Sequence, residues 1–300
     1  MKVLLPVDIA HPHEDLAEHV SWILPLEGSE VKLLFVKELL PSYERLVSSM
    51  GDFPDDWTHQ VDKKADSILT PLKERLEAAG ATVTTEIASG PPEHIIATIA
   101  KDHAYDITVV APGQHSNIEK FFLGSTSSSV VKLTPGTILV LRDHRGHDKL
   151  THVVFGIDGT EESLHAIRTV TTQLQLAERN VKVTVLHAVA VPPLVAMFSP
   201  PEMSVNLEKN MEMEGEGFIA EALKVLQELG VMNAEPRQVQ GEAAWELIRY
   251  AEHANAQLIV TGGGGKKFLE HALVGSAAIR TITHAKCSTA MVKLPKKARD

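Results

Sequence analysis

Lys2-Val3-Leu4-Leu5-Pro6-Val7-Asp8 and His152-Val153-Val154-Phe155-Gly156-Ile157-Asp158 are two short apolar runs, each closed by an aspartate, at an offset of 158 − 8 = 150 residues. Val31-Lys32-Leu33-Leu34-Phe35-Val36 and Val181-Lys182-Val183-Thr184-Val185-Leu186 stand at the same offset, while Gly90 and Gly241, and Gly124-Ser125 and Gly275-Ser276, match at 151. Anchors that keep one spacing along the chain mark an internal duplication, so the 300 residues read as two domains of ordinary size. The charged stretch Arg142-Asp143-His144-Arg145-Gly146-His147-Asp148-Lys149 has no apolar periodicity and reads as a surface linker. It places repeat one at 1–146 and repeat two at 147–300.

Each repeat alternates short β-branched runs with segments of helical period, the pattern of βα units around a parallel sheet, so the fold class is α/β. The runs predict strands at Val3 to Val7, Val31 to Val36, Thr82 to Ala88, Ile107 to Ala111 and Thr137 to Leu141. In the second repeat they fall at His152 to Ile157, Val181 to His187, Glu235 to Val239, Leu258 to Thr261 and Thr289 to Val292. The longest amphipathic patterns predict helices over Asp56 to Ala79 and Asn206 to Leu229, and shorter ones open after a glycine at Pro92 and Ala243. Leu194 to Phe198 lies between Pro192-Pro193 and Pro200-Pro201. Because proline pushes the residue before it toward extended geometry, this stretch is expected not to be helical throughout and to form a flap or contact surface.

Composition removes several function classes. With 44% apolar and 23% charged residues the chain falls in the globular range, which argues against wholesale disorder. A net charge of −10 supplies no basic stripe for a phosphate backbone, so no nucleic-acid partner is expected. Cys287 is the only cysteine, which rules out an intrachain disulfide and a thiolate metal cluster and fits a reducing compartment, the cytoplasm by default. Asp8 ends the first apolar run far short of a signal segment, and no stretch reaches 18 apolar residues, so no membrane association is expected.

The chemistry concentrates in Leu258-Ile259-Val260-Thr261-Gly262-Gly263-Gly264-Gly265-Lys266-Lys267, followed by Val274-Gly275-Ser276-Ala277-Ala278. The order is strand, glycine loop, helix start. Bare glycine backbone lets a ligand approach without a Cβ in the way, and a helix beginning at Ser276 offers free N–H groups, a hydroxyl and a dipole that favour an anion. Together these would cradle a polyphosphate, whereas a glycine run alone is equally a flexible turn. Asp158 adds context because it ends the first strand of its repeat, where open parallel sheets bind ligands. Its carboxylate could take hydrogen bonds from a ribose or base edge, or cap a helix running from Glu161 to Glu178.

Gly262, Gly265, Gly275 and Ser276 fit the spacing G-x2-G-x9-G-[ST], which resembles the ATP-binding signature of the universal stress protein family. The resemblance runs over essentially the whole chain as a tandem pair: Asp8 and Asp158 resemble the aspartate after strand one, Gly90 and Gly241 the glycine after strand three. It implies two doubly wound domains, each an open five-stranded parallel sheet in the order 3-2-1-4-5, paired as a pseudo-dimer through their last strands. It further implies a cytoplasmic, stress-related role with ATP, accompanied by Mg²⁺, as ligand. Carried over residue by residue, the nucleotide-binding set is Asp158, Ala188, Gly262, Gly264, Gly265, Gly275, Ser276 and Ala277, with Asp158 and Ala188 at the adenosine. Repeat one departs from the pattern, since Ala111 and Gln114 align with Gly262 and Gly265 while Gly124-Ser125 remains. A single competent site, in repeat two, is the expectation, with a Gly113-shifted turn in repeat one as the alternative.

Other constellations are weaker. His11, His13 and Asp8 with His115 could hold zinc at the rim of repeat one, but the ligand spacing of zinc motifs is missing and a solvated loop is the simpler reading. No Gly-x-Ser-x-Gly elbow or Ser, His, Asp order suggests a hydrolytic nucleophile. Cys287 reads as packing, Lys266 and Lys267 as solvated charges, and Met211, Met213 and Phe218 as helix core or flap. The leading expectation is an ATP-binding regulator or sensor without a catalytic residue, with a regulatory protein partner or a homodimer of the tandem chain as its readout. A slow ATPase in the same pocket, and a non-nucleotide scaffold for a metal or an apolar ligand, are the competing classes.

Overall fold

The computed structural model describes residues 1–10, 15–38, 57–111, 124–142, 149–191, 193–198, 200–264 and 275–295. The chain divides into two compact units, Met1–Leu141 and Arg142–Asp300. Gly146, near which the linker was placed, lies outside the described residues.

In unit one the order is β1 (Lys2–Pro6), α1 (Leu16–Ile23), β2 (Glu30–Lys37), α2 (Trp57–Ala78), β3 (Thr82–Ser89), α3 (Pro92–Asp102), β4 (Ile107–Val110), α4 (Ser125–Leu133) and β5 (Thr137–Val140). β1 pairs in parallel with β2 and β4, β2 with β3, and β4 with β5, which gives the order 3-2-1-4-5. β4 and β5 are buried at every position, as expected of parallel strands covered on both faces.

Unit two follows the same plan with β6 (His152–Ile157), α5 (Glu161–Gln173), β7 (Lys182–Val189), α6 (Pro193–Phe198), α7 (Pro201–Glu228), β8 (Glu235–Gln240), α8 (Ala243–His253), β9 (Leu258–Gly262), α9 (Ser276–His284) and β10 (Ser288–Val292). β6 pairs in parallel with β7 and β9, β7 with β8, and β9 with β10. The duplication reaches backbone detail. Gly90 and Gly241 take φ of +138° and +139°, and each donates its N–H back to the end of its second strand, to the Lys37 carbonyl (3.0 Å) and the Val189 carbonyl (2.9 Å). A side chain rarely adopts that φ, which is why a glycine closes the third strand in both halves.

Two expectations need correction. Leu194 to Phe198 is helical throughout, within α6. Proline suits the first turn, so Pro193 can open the helix, and the restriction imposed by Pro200 falls on Ser199, after the helix has ended. The long helix α7 likewise begins at Pro201, five residues before the expected Asn206, again with proline in its first turn. Elsewhere the strand ends move by one or two residues, and the helix expected to run to Glu178 stops at Gln173, where hydrogen-bonded turns with positive φ at Gln175 and Asn180 lead into β7.

Candidate functional site

In unit two β6 is the first strand and β9 the fourth, so the chain changes direction between them and leaves a crevice at their carboxyl ends. Asp158 follows β6 on one side, and Gly262 ends β9 on the other. The β6–β7 register closes at Ile157 opposite His187. Ala188 and Val189 therefore continue past the end of β6 while still paired with β8.

Asp158 does not cap α5. Thr160 does, its side chain accepting from the Ser163 N–H at 3.3 Å. The Asp158 Oδ1 atom instead accepts the Thr160 N–H (3.1 Å) and the Thr160 hydroxyl, so the aspartate holds the cap in place. Asp8 in unit one makes the related turn, accepting the Ala10 N–H at 2.9 Å. Sequence reading takes Asp158-Gly159-Thr160 as capping chemistry with Asp158 as the cap, whereas the threonine directly before the helix holds it.

The glycine loop packs against the first turn of α5. A Cβ at Gly262 would lie 3.0 to 3.1 Å from the Glu162 carbonyl and the Ser163 nitrogen, so that loop or helix would have to give by a few tenths of an ångström to admit one. Gly263 turns the other way, toward Val292 and Lys293, and donates its N–H to the Val292 carbonyl at 2.7 Å. Gly264 turns back toward α5, where its Cβ would stand 3.4 Å from the Glu162 Cγ and Oε1. The Gly275 N–H donates to the Gly263 carbonyl at 3.1 Å, which clamps the start of α9 to the loop. Both donors are thus engaged within the protein, one by β10 and one by the loop. At the start of α9 the first-turn N–H groups of Ser276 and Ala277 have no acceptor within the helix, and Ser276 is exposed.

Of the residues expected to form the site, Asp158 follows β6, Gly262 and Gly264 lie at and just after the end of β9, and Gly275, Ser276 and Ala277 lie at the start of α9, while Gly265 lies outside the described residues. Ala188 lies near the end of β7, its side chain packing against the cluster of Leu186, Leu247 and Ile248. The neighbouring His187 faces α7. Its Nδ1 donates to the Ile157 carbonyl (2.9 Å), and its ring meets Phe218 edge-on at 5.5 Å. Phe218 sits on Gly159, where a Cβ would be 2.3 Å from the ring. These contacts join residues far apart in sequence, and no local pattern announces them.

In unit one Gly124 caps α4 as Gly275 caps α9, and Ala111 is half-buried at the end of β4. Gln114, Gly113, His11, His13 and His115 lie outside the described residues, as do Lys266 and Lys267. Met213 on α7 is exposed. Cys287 packs beside the Leu247 cluster, and burial pushes its thiol up to about 12. Among the described residues, no helix is long and apolar enough to cross a membrane.

The fold is that of a tandem doubly wound α/β protein, with a glycine run after the fourth strand of its second unit. The model of the universal stress protein family matches residues 1–142 and again 149–293, and the chain belongs to that family. Universal stress protein MJ0531 of Methanocaldococcus jannaschii is 33% identical over 154 residues, covering 51% of this chain and 87% of the relative. Universal stress protein MJ0577 of the same organism is 27% identical over 152 residues, covering 47% and 94%. The crystal structure of a universal stress protein from Archaeoglobus fulgidus shares the fold at 16% identity, with a TM-score of 0.66 over 99% of this chain and 97% of that one.

Proposed function

We propose that repeat two binds a nucleotide, ATP with Mg²⁺, and that the protein is a cytoplasmic stress-response sensor or regulator rather than a catalyst. The observation that carries the reading is the hydrogen bond from the Gly275 N–H to the Gly263 carbonyl, which sets glycine backbone packed closely on α5 at Gly262 beside the start of α9. A strand end, a bare loop and a helix N-terminus brought together in this way suit an anionic phosphate chain. The adenosine would lie toward Asp158 and Ala188, and the phosphates toward Gly262, Gly264, Gly265, Gly275, Ser276 and Ala277. Asp158 Oδ1 is already engaged by Thr160, and we assign no general base. Repeat one, with Ala111 and Gln114 at the loop positions, would serve as a structural partner. Binding would stabilise repeat two by mass action, and a regulatory protein or a second copy of the chain would read out that change.

Calorimetric titration of nucleotide-stripped protein with ATP and Mg²⁺ tests this. The expected result is one site per chain, lost in Gly265→Gln, which writes repeat one's residue into repeat two. Two equivalent sites would refute the division of labour between repeats. No heat in either protein, with no binding by equilibrium dialysis, would refute the nucleotide reading.

A further inference from the structure

Glu162 lies beside the glycine run of unit two. It lies in the first turn of α5, and its Cγ and Oε1 are 3.4 Å from the position a Cβ would take on Gly264, so its side chain lies against the loop. Its neighbour Glu161 points elsewhere, to the Arg168 guanidinium at 3.4 Å. Among the described residues, the Glu162 carboxylate has neither a hydrogen bond nor an ion pair. A carboxylate in that place opposes an incoming phosphate unless a cation stands between them, since like charges a few ångströms apart raise each other's energy strongly in a partly desolvated cleft.

Resting on the nucleotide reading, we propose that Glu162 is a specificity-determining residue that makes phosphate binding at this loop conditional on a divalent cation. The cation would be shared between the Glu162 carboxylate and phosphate oxygens of the ligand, while the first-turn N–H groups of α9 take the remaining phosphate oxygens. A nucleoside without phosphate neither meets the repulsion nor needs the ion. Glu162 thereby selects the metal-bound form of a nucleotide over the free anion.

The test titrates wild type and Glu162→Gln with ATP and with adenosine, each with Mg²⁺ and with EDTA. In wild type, Mg²⁺ should tighten ATP binding by about tenfold or more, the scale of removing one close like-charge contact in a half-exposed cleft. Glu162→Gln should shrink that ratio severalfold, chiefly by tightening the metal-free binding. Adenosine should bind both proteins alike with or without Mg²⁺. ATP binding of equal strength with Mg²⁺ and EDTA in wild type would overturn the inference and leave the nucleotide reading intact. A full Mg²⁺ dependence retained in Glu162→Gln would place the metal preference in the ligand rather than in this residue, and also overturn it. Absence of ATP and adenosine binding under every condition would overturn both readings together. Glu162 is half-exposed, so the substitution is compatible with folding, and matched thermal unfolding of the two proteins checks that.

Discussion

Replacing Gly262 by alanine should separate the packing of the glycine loop from its flexibility. A Cβ there meets backbone on the facing helix, the Glu162 carbonyl and the Ser163 nitrogen, at 3.0 to 3.1 Å. Backbone in the first turn of a capped helix cannot swing aside, so the loop or the helix must shift. Overpacking of this kind costs about 1–3 kcal/mol. Set against it is the gain of roughly 0.4–1 kcal/mol from a less flexible unfolded chain. Taking the middle of each range, the net is a loss of about 1 kcal/mol, or roughly 2–4 °C in Tm for a unit of this size. Gly264→Ala is the internal control. The atoms nearest its Cβ would be those of the Glu162 side chain, at 3.4 Å, and its φ lies outside the left-handed region. The same entropy gain then stands nearly alone, and Tm should hold or rise slightly. Scanning calorimetry of both variants, reading the transition of repeat two, decides the matter. If Gly262→Ala unfolds at the wild-type temperature, or both variants fall equally, the close packing of loop on helix is refuted.

Two further outcomes follow from His152 and Cys287, whose surroundings shift their titration. His152 is buried with Nδ1 on the Ala254 carbonyl (3.3 Å) and Nε2 on the Thr184 hydroxyl (2.9 Å), and burial lowers its pKa from 6.5, with Lys182 reinforcing the shift and the Ala254 bond and Glu235 opposing it. A depressed histidine contributes stability that is complete above 6.5 and fades as pH falls through the lowered folded value, because the unfolded chain takes the proton first. The urea midpoint should therefore drop on acidification less steeply in His152→Gln than in wild type, and equal slopes would refute the assignment. Cys287, with its thiol pushed up to about 12, should react with iodoacetamide at pH 8 at least about 100-fold more slowly in native than in urea-unfolded protein. Equal rates would mean that the sulfur is open to solvent.

The duplication, the class of fold and the strand-ending glycines were legible because they are local. A run such as His152 to Ile157 carries its burial on its face, and Gly241 is needed where φ is +139°. Helix ends beside proline were not, because the same residue that disfavours helix before itself opens helix after itself, and the spacing of Pro193, Ser199 and Pro200 decides which effect governs Phe198. The role of Asp158 was legible in part. Its position at the end of β6 was plain, but whether its carboxylate caps α5 or supports the residue that does depends on one turn of backbone, and Thr160 took the cap.

What no sequence pattern could disclose is the meeting of Gly262 and Gly264 with Glu162, a hundred residues earlier in the chain. The glycine spacing resembles a phosphate loop whatever stands opposite, so from the sequence alone the loop looks simply receptive to anions. Folding β6 beside β9 brings the first turn of α5 across that loop and sets a carboxylate against it. The glycines remove the steric barrier to a phosphate, and Glu162 adds an electrostatic one that a divalent cation would lift. Selectivity at such a site then belongs to the pair of elements rather than to the loop, and residue 162 is the place to alter it without touching a glycine.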